Sequence, residues 1–207
     1  MRHRIIFLDI DGVLNTALGG PYTTPLDNAH PDRKWLAMID PEKVAHLNAI
    51  VHASRAKVVI SSSWRLHFMV EDMQRYLNAQ GFEGEVIDRT GTFFGERPHE
   101  PNWPSALTLG AYGFQGEQGM SDYVWPVRPH EVHAWLRDHQ QEVEGFVILD
   151  DIAEWHWLAP HHVGTDMHVG LLEEHVQPAL RILCLPADEA IAYEPKRADW
   201  IQLPRSG

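Results

Sequence analysis

The sequence has little cysteine, few positive charges and no long apolar run. Cys184 is the only cysteine, which excludes an internal disulfide and favours a reducing compartment. No stretch approaches the ~18 consecutive apolar residues that a membrane span requires. The apolar run Ile5–Leu8 near the start ends at Asp9, too soon for a signal peptide. We therefore expect a cytoplasmic protein with no membrane partner.

The charge balance is strongly acidic. Lys and Arg together number 17 against 29 Asp and Glu, so that the formal net charge is −12. Tight non-specific binding to nucleic acid depends on a basic face that releases counterions, and we do not expect it here. An acidic chain that receives a polyanionic substrate also needs a metal ion to make its site attractive.

Short apolar runs alternate with segments of helical periodicity. The runs, each typical of a strand buried in a parallel sheet, are Arg4–Ile10, Ala56–Ile60, Glu85–Asp88, Gly145–Leu149 and His161–Val163. The helical segments are Pro41–Ile50, Phe68–Ala79, Pro129–His139 and a stretch from Gly170 to about Leu183. This alternation predicts an α/β fold of three layers, with a doubly wound, mostly parallel sheet and no large cap domain.

Other parts of the chain show no sustained period. Residues 15–40 are rich in Pro, Gly, Thr and Asn, and the tail from Pro186 onward has no clear pattern, so that we expect loops in both. Residues 90–127 are rich in Gly, Pro and aromatic residues and are interpreted as an irregular insert, typical of a lid or binding loop. The length fits one domain, residues 1–207, that carries this insert.

Residues suited to phosphate chemistry follow three of the predicted strands. Asp9 and Asp11 come after the first strand, serines 61–63 after the second, and Asp150 and Asp151 after a later one. The carboxyl ends of parallel strands meet at one crevice, so these side chains should converge. Several carboxylates in one place resist ionisation unless a cation neutralises them. Mg²⁺, a hard ion that prefers oxygen ligands, is the expected cofactor.

These motifs resemble those of the haloacid dehalogenase (HAD) superfamily. Phe7–Asn15, which reads FLDIDGVLN, resembles the first motif in its phosphatase form. Val58–Arg65 resembles the second motif and Phe146–Asp151 the fourth. The Ser-Ser-Trp-Arg sequence, Arg128 shortly before Glu131, and Thr-Asp before a later Gly-Leu look like the HAD domain of Swiss Army Knife RNA repair proteins. The resemblance runs from residue 5 to about residue 180.

The resemblance implies a phosphatase, a phosphoric monoester hydrolase, with a role for each catalytic residue. Asp9 would attack phosphorus and form an aspartyl-phosphate. Asp11 would act as general acid and then as general base. Ser62 would hydrogen-bond a phosphoryl oxygen, and Arg128 would hold the negative charge of the phosphoryl group and the nucleophile. The substrate-binding residues expected beside them are Gly12, Asn15, Ser61 and Ser63.

The metal ligands also follow from the resemblance. Asp9 and Asp150 would bind Mg²⁺ directly, Asp11 would bind it through its backbone carbonyl, and Asp151 would bind it through a water. Two of the catalytic assignments have rivals. Ser61 is the alternative to Ser62 because three serines stand in a row, and Arg97 and Arg89 are alternatives to Arg128 because the third motif is one basic residue.

Other chemistries fit the sequence less well. The histidines that suggest zinc, His156, His161, His162 and His168, match no familiar zinc spacing. A DxDG sequence alone is equally typical of a turn or a calcium loop, and an acidic pair or a serine run also caps helices. Three matched strand ends in one chain favour the phosphatase interpretation.

Rival functions are a HAD-fold phosphotransferase, a dehalogenase and a non-catalytic module that binds phosphate or nucleic acid. A dehalogenase would lack the second acid at Asp11. A response-regulator receiver carries its acidic pair before the phosphorylated aspartate, the reverse of the order here. The substrate expected from the resemblance is a phosphate on a nucleotide or nucleic-acid end, with Trp103 and Trp125 of the insert as candidates for base stacking, and a small phosphorylated molecule is the alternative.

Overall fold

A parallel β-sheet with helices on both faces lies at the centre of the structure. The structure is a computed structural model, and it describes residues 2–20, 33–91, 123–124, 127–194 and 201–202. The strands are β1 His3–Leu8, β2 Lys57–Ile60, β3 Val86–Arg89, β4 Tyr123–Val124, β5 Val143–Asp150, β6 His162–Gly164 and β7 Ile201–Gln202. The helices are α1 Arg33–Leu36, α2 Pro41–Ser54, α3 Val70–Ala79, α4 Val127–Asp138, α5 Glu173–Ile182 and α6 Asp188–Ala192. Within the described ranges, 3-10 helices span Ser63–Leu66 and His156–His161.

The main sheet has five strands in the order β3-β2-β1-β5-β6. All four pairings are parallel, and Phe7 of β1 lies opposite Val59 of β2 and Ile148 of β5. The predicted parallel α/β sheet is confirmed. The described residues contain no large cap domain, as the sequence predicts. No helix among them is long and apolar enough to cross a membrane.

Each face of the sheet buries its own apolar cluster. Because side chains alternate along a strand, Ile6 and Leu8 point to one face and Ile5 and Phe7 to the other. The first face is covered by α2, α3 and α5, and the second by α4 and α6. The strands are therefore buried on both sides, which explains why they read as continuous apolar runs.

Three segments expected to be loops contain regular structure instead. The short helix α1 lies within residues 15–40, and α6 lies in the tail after Pro186. The two residues of β4, at the end of the expected irregular insert, pair antiparallel with β7 in the tail. These elements have two to five residues, too few for periodicity to show in the sequence. Residues 92–122, 125 and 126 of the insert, including Trp103 and Trp125, lie outside the described residues.

The sheet order places the three motif-bearing strands next to one another. β1 lies between β2 and β5, and backbone hydrogen bonds continue beyond the strands themselves. The amide of Asp9 donates to the carbonyl of Leu149 at 3.0 Å, and the amide of Ser61 donates to the carbonyl of Leu8 at 3.0 Å. The carboxyl ends of these strands therefore form one continuous edge.

Candidate active site at the carboxyl edge of the sheet

Three carboxylates from two neighbouring strands meet at this edge. Asp9 follows β1, Asp150 ends β5, and Asp151 comes next in the chain. Each offers an oxygen, and these oxygens lie within 4.8 Å of one another. Asp9 and Asp150 are buried and Asp151 is half-buried. Among the described residues, these three acids form the group of acid, histidine or cysteine side chains that lie close enough together to hold a metal ion.

Arg128, in the first turn of α4, contacts two of the three acids. Its Nη1 donates to Oδ2 of Asp9, and to Oδ2 of Asp150 at 2.5 Å. Burial lowers the pKa of Arg128, but attraction to Asp9 and Asp150 outweighs this effect, so that its pKa is raised and the guanidinium stays charged.

Arg89, one of the two rival arginines, binds backbone carbonyls after β2 and not the acids. Nη1 of Arg89 donates to the backbone carbonyls of Arg65, at 2.5 Å, and Phe68, at 3.1 Å. Arg97 lies outside the described residues. Of the three candidates, the described structure therefore brings Arg128 to the acids.

Two of the clustered acids, Asp150 and Asp151, have raised pKa values. The pKa of Asp150 is raised to about 7: burial is the largest cause, the charge of Asp9 adds to the rise, and Arg128 opposes it. Burial and the charge of Asp9 also raise the pKa of Asp151. The single guanidinium of Arg128 therefore does not fully offset the burial and the mutual repulsion of these carboxyl groups. A hard cation with oxygen ligands fits this donor set, which consists of carboxylates alone.

Asp11 faces the same edge but belongs to a separate set of contacts. Its Oδ2 accepts a hydrogen bond from Nε1 of Trp64 at 3.0 Å, and its Oδ1 accepts one from Nδ2 of Asn15 at 2.5 Å. Burial raises its pKa; the charge of Asp9 adds to the rise, and the two hydrogen bonds lower it. Asn15, a predicted substrate-binding residue, therefore contacts Asp11 in this structure.

Gly12 allows the two acidic strand ends to approach each other. Its φ of +76° is a left-handed conformation that favours glycine. A Cβ at this position would overlap the carboxyl group of Asp151, with Oδ2 only 2.5 Å away. The carbonyl of Gly12 accepts a hydrogen bond from Oγ1 of Thr165 at 2.7 Å. The backbone of the first motif is thus fixed against the loop after β6.

The three serines after β2 have different environments. Ser61 and Ser62 are fully buried and Ser63 is half-buried. Oγ of Ser62 accepts from the amide of Trp64 at 3.3 Å and caps the following 3-10 helix. Oγ of Ser61 has no hydrogen-bond partner in the part of the chain that the structure describes. Ser62 remains the predicted phosphate contact, with Ser61 as its alternative.

Three of the four histidines considered for zinc have other contacts, and the ring of His156 stacks on Trp157 at 6.2 Å. The ring of His161 stacks on Phe146 at 4.0 Å, and Nε2 of His162 lies 2.9 Å from the carbonyl of Asp150. His162 therefore supports the strand end that carries the acids.

Sequence reasoning assigned no role to several residues that build the site. Trp64 binds Asp11, and Thr165 binds Gly12. The buried ion pair of Arg65 and Glu131 links the serine segment, residues 61–63, to α4. Tryptophan and arginine directly after the serines were a visible signal, since both are costly to bury without a partner.

The fold and this edge together define a HAD-like α/β protein with an acidic centre suited to a divalent cation. The family model for the HAD domain in Swiss Army Knife RNA repair proteins matches residues 5–176, and the chain belongs to this family. The resemblance inferred from the motifs is thereby confirmed. Searches of the curated proteins and of the solved structures found no match.

Proposed function

We propose that the chain is a Mg²⁺-dependent phosphomonoester hydrolase that acts through an aspartyl-phosphate on Asp9. The observation that carries this proposal is the meeting of Asp9, Asp150 and Asp151 at the sheet edge, with Arg128 bound to two of them. Membership of a HAD family supports a phosphatase-type enzyme in general terms.

Asp9 is well held for attack on phosphorus. Its Oδ1 accepts from the amide of Ile10 at 2.7 Å, and its Oδ2 accepts from Arg128. One of its oxygens would form a bond to phosphorus as the bond to the leaving oxygen breaks. Water would then attack the phosphorus of the acyl phosphate, which releases inorganic phosphate and restores the carboxylate.

Asp11 would move the protons in both steps. A raised pKa favours a protonated carboxyl that can give its proton to the leaving oxygen. The resulting carboxylate would take a proton from the attacking water. Trp64 and Asn15 would hold it in place, because each donates to one of its two oxygens.

Arg128, a serine hydroxyl and Mg²⁺ would stabilise the negative charge that the phosphoryl group carries. Arg128 would contact its oxygens from one side, and Ser62, or Ser61, would donate a hydrogen bond. Asp9, Asp150 and the backbone carbonyl of Asp11 would hold Mg²⁺, with Asp151 bound through a water; the ion would neutralise the phosphoryl oxygens. Gly12, Asn15 and Ser63 would line the phosphate site.

The proposed setting of this activity is one HAD-like domain, residues 1–207, with residues 90–127 as an insert or lid. The single cysteine supports a reducing, cytoplasmic location. We expect a phosphorylated substrate and no tight non-specific binding to nucleic acid, because the net charge is −12.

A series of aromatic rings beside Asp11 supports a nucleotide or nucleic-acid end as the substrate. The indole of Trp64, which binds Asp11, packs edge-to-face against Trp35 at 5.3 Å. Trp35 in turn stacks on His67 at 6.0 Å, and His67 is exposed. The leaving group must lie next to the general acid, so we expect these rings to border the space that it would occupy. Flat rings of this kind stack on bases.

Hydrolysis by the nucleophile variant Asp9→Asn tests the proposed reaction. The purified protein with Mg²⁺ is assayed on p-nitrophenyl phosphate, mononucleotides and oligonucleotides with a 5′ or 3′ phosphate. We expect turnover by the wild type and a loss of about 10³-fold or more in Asp9→Asn, because the nucleophile is absent. Asp188→Asn, an exposed acid bound to Arg2, is the matched control and should retain activity.

Three outcomes would change the assignment. Equal hydrolysis by wild type and Asp9→Asn would show that Asp9 is not the nucleophile. Transfer of phosphate to an added alcohol in preference to water would identify a phosphotransferase. Binding of oligonucleotide without turnover of any substrate would identify a non-catalytic module.

The variant His67→Ala tests the proposed substrate class. We expect kcat/KM on a phosphorylated oligonucleotide to fall by about tenfold, since one stacked base contributes about 1–3 kcal/mol. Activity on p-nitrophenyl phosphate should change by less than about twofold, because its small leaving group does not reach His67. His52→Ala, which removes an exposed histidine of α2, is the control. Equal activity of His67→Ala and His52→Ala on the oligonucleotide would contradict the stacking role.

A further inference from the structure

Arg65 and Glu131 form an ion pair that is almost completely buried. Their side chains are each 1% exposed, and Nη2 of Arg65 donates to Oε2 of Glu131. Removing two charges from water costs several kcal/mol for each ion, and an apolar pair of similar volume is often as stable. Stability alone therefore gives a weak reason for an ion pair at this position.

The guanidinium of Arg65 also holds the serine segment. Its Nη1 donates to the backbone carbonyls of Ser61 at 2.7 Å and Ser62 at 2.6 Å. The planar guanidinium thus binds two consecutive backbone carbonyls through Nη1 and the carboxylate of Glu131 through Nη2. A lysine ammonium has a single nitrogen and cannot divide its donors in this way.

Glu131 connects the same guanidinium to the helix that carries Arg128. Both residues are in α4, and Glu131 follows Arg128 by three positions, about one helical turn. Residues three apart lie on the same side of a helix. The ion pair therefore links the serine segment after β2 to the turn of α4 from which Arg128 reaches Asp9 and Asp150.

We propose that Arg65 and Glu131 are positioning residues, which fix the distance between the serine segment and Arg128 on opposite sides of the phosphoryl group. This inference rests on the proposed phosphatase activity. The two groups that stabilise phosphoryl charge come from separate elements, and Arg65 is bonded to both elements. Arg65 and Glu131 act through these groups and do not contact the substrate.

The variant Glu131→Gln tests the positioning role, because it keeps the size of the side chain and removes its charge. On p-nitrophenyl phosphate with Mg²⁺ we expect kcat to fall by about 10- to 100-fold, since small misplacements of catalytic groups have effects of this size. KM should change by less than about threefold, because the transition state loses more stabilisation than the bound substrate.

Inhibition constants separate positioning from a general loss of structure. Orthovanadate mimics the five-coordinate phosphorus of the transition state, and inorganic phosphate mimics the product. We expect Glu131→Gln to raise the inhibition constant for orthovanadate at least about tenfold and that for phosphate less than about threefold. Equal changes for the two inhibitors, or none, would overturn the inference.

Val143→Ala is the control for loss of stability. Val143 is buried at the start of β5, the end of the strand opposite to Asp150. This variant should lower the melting temperature while kcat stays within about twofold of the wild type. If Glu131→Gln behaves in the same way, the ion pair is structural and the inference fails, although the proposed function stands. An inactive wild type, or an active Asp9→Asn, would instead remove the proposed function itself.

The double variant Arg65→Met with Glu131→Leu decides the matter if Glu131→Gln does not fold. It replaces the ion pair with apolar side chains and leaves no unpaired buried charge. We expect a folded protein, judged by circular dichroism, with kcat reduced at least about tenfold. A folded double variant with wild-type kcat would overturn the inference. Failure of both variants to fold would also overturn it, because the pair would then be required for the fold.

Discussion

Gly12 shows at the scale of one residue how closely the two acidic strand ends are packed. It combines a left-handed backbone with a position where any Cβ would overlap Asp151. Another glycine, Gly81, has a similar φ of +91° but nothing within 4 Å of its Cβ position. A comparison of alanine substitutions at the two glycines therefore distinguishes the effect of backbone strain, which both share, from the effect of crowding against Asp151, which only Gly12 has.

Gly12→Ala should impair both stability and activity. Strain costs about 1–3 kcal/mol of the free energy of unfolding, and displacement of Asp151 should lower kcat by a further factor of about 10². Gly81→Ala should show the loss of stability in a urea titration without the loss of kcat. Wild-type kcat in Gly12→Ala would show that the position of Asp151 does not matter for turnover.

The sequence predicts the acids of the site better than it predicts the residues that hold the site in place. Asp9, Asp150 and Asp151 follow apolar strands, and the rule that parallel strand ends converge is enough to bring these three together. The partners of Asp11 and Arg65 depend on tertiary contacts: Trp64 and Asp11 are 53 positions apart, and Arg65 and Glu131 are 66 apart. No local pattern encodes such contacts.

Among the secondary-structure elements, length decides what could be predicted. Strands β1, β2 and β5 and helices α2 to α5 carry enough apolar residues for their period to appear. Helix α1 has four residues, and β4 and β7 have two each. The pairing of β4 with β7 joins the insert to the tail, which no propensity within either segment indicates.

The cap of α2 gives a prediction at the scale of one element. Asp40 accepts a hydrogen bond from the amide of Glu42 at 2.8 Å, before Pro41 begins the helix. Asp40→Ala should lower the free energy of unfolding by about 1 kcal/mol, because the helix loses its N-cap. The measurement is chemical denaturation, with kcat as a second readout that should not change.

Asp40→Asn is the matched control for the cap. Asparagine also caps helices well, so this variant should be nearly as stable as the wild type. A loss in Asp40→Asn equal to that in Asp40→Ala would show that the charge of Asp40, and not its role as a cap, stabilises the protein.

For the molecule as a whole, the net charge is strongly negative, and some of the acids lie together at the carboxyl edge of the sheet. The formal charge is −12, and four acids of the chain face Arg128 at the carboxyl ends of β1 and β5. An anionic substrate approaches such an edge only if a cation offsets the acids. Binding of a divalent ion is therefore the central claim that connects the fold with the proposed reaction.

The pKa of Asp150 predicts how this binding depends on pH. Burial raises that pKa to about 7, so that the carboxyl holds a proton at acidic pH and must lose it before an ion binds. The affinity for Mg²⁺ should therefore rise as pH increases through about 7.

Calorimetric titration of the protein with Mg²⁺ tests the claim most directly. We expect one site in the wild type above neutral pH, weaker binding at mildly acidic pH, and a loss of at least about tenfold in affinity in Asp150→Asn. Asp188→Asn should bind as the wild type does, because Asp188 lies at the surface beside Arg2. Equal affinity for Mg²⁺ in Asp150→Asn and the wild type would contradict the account.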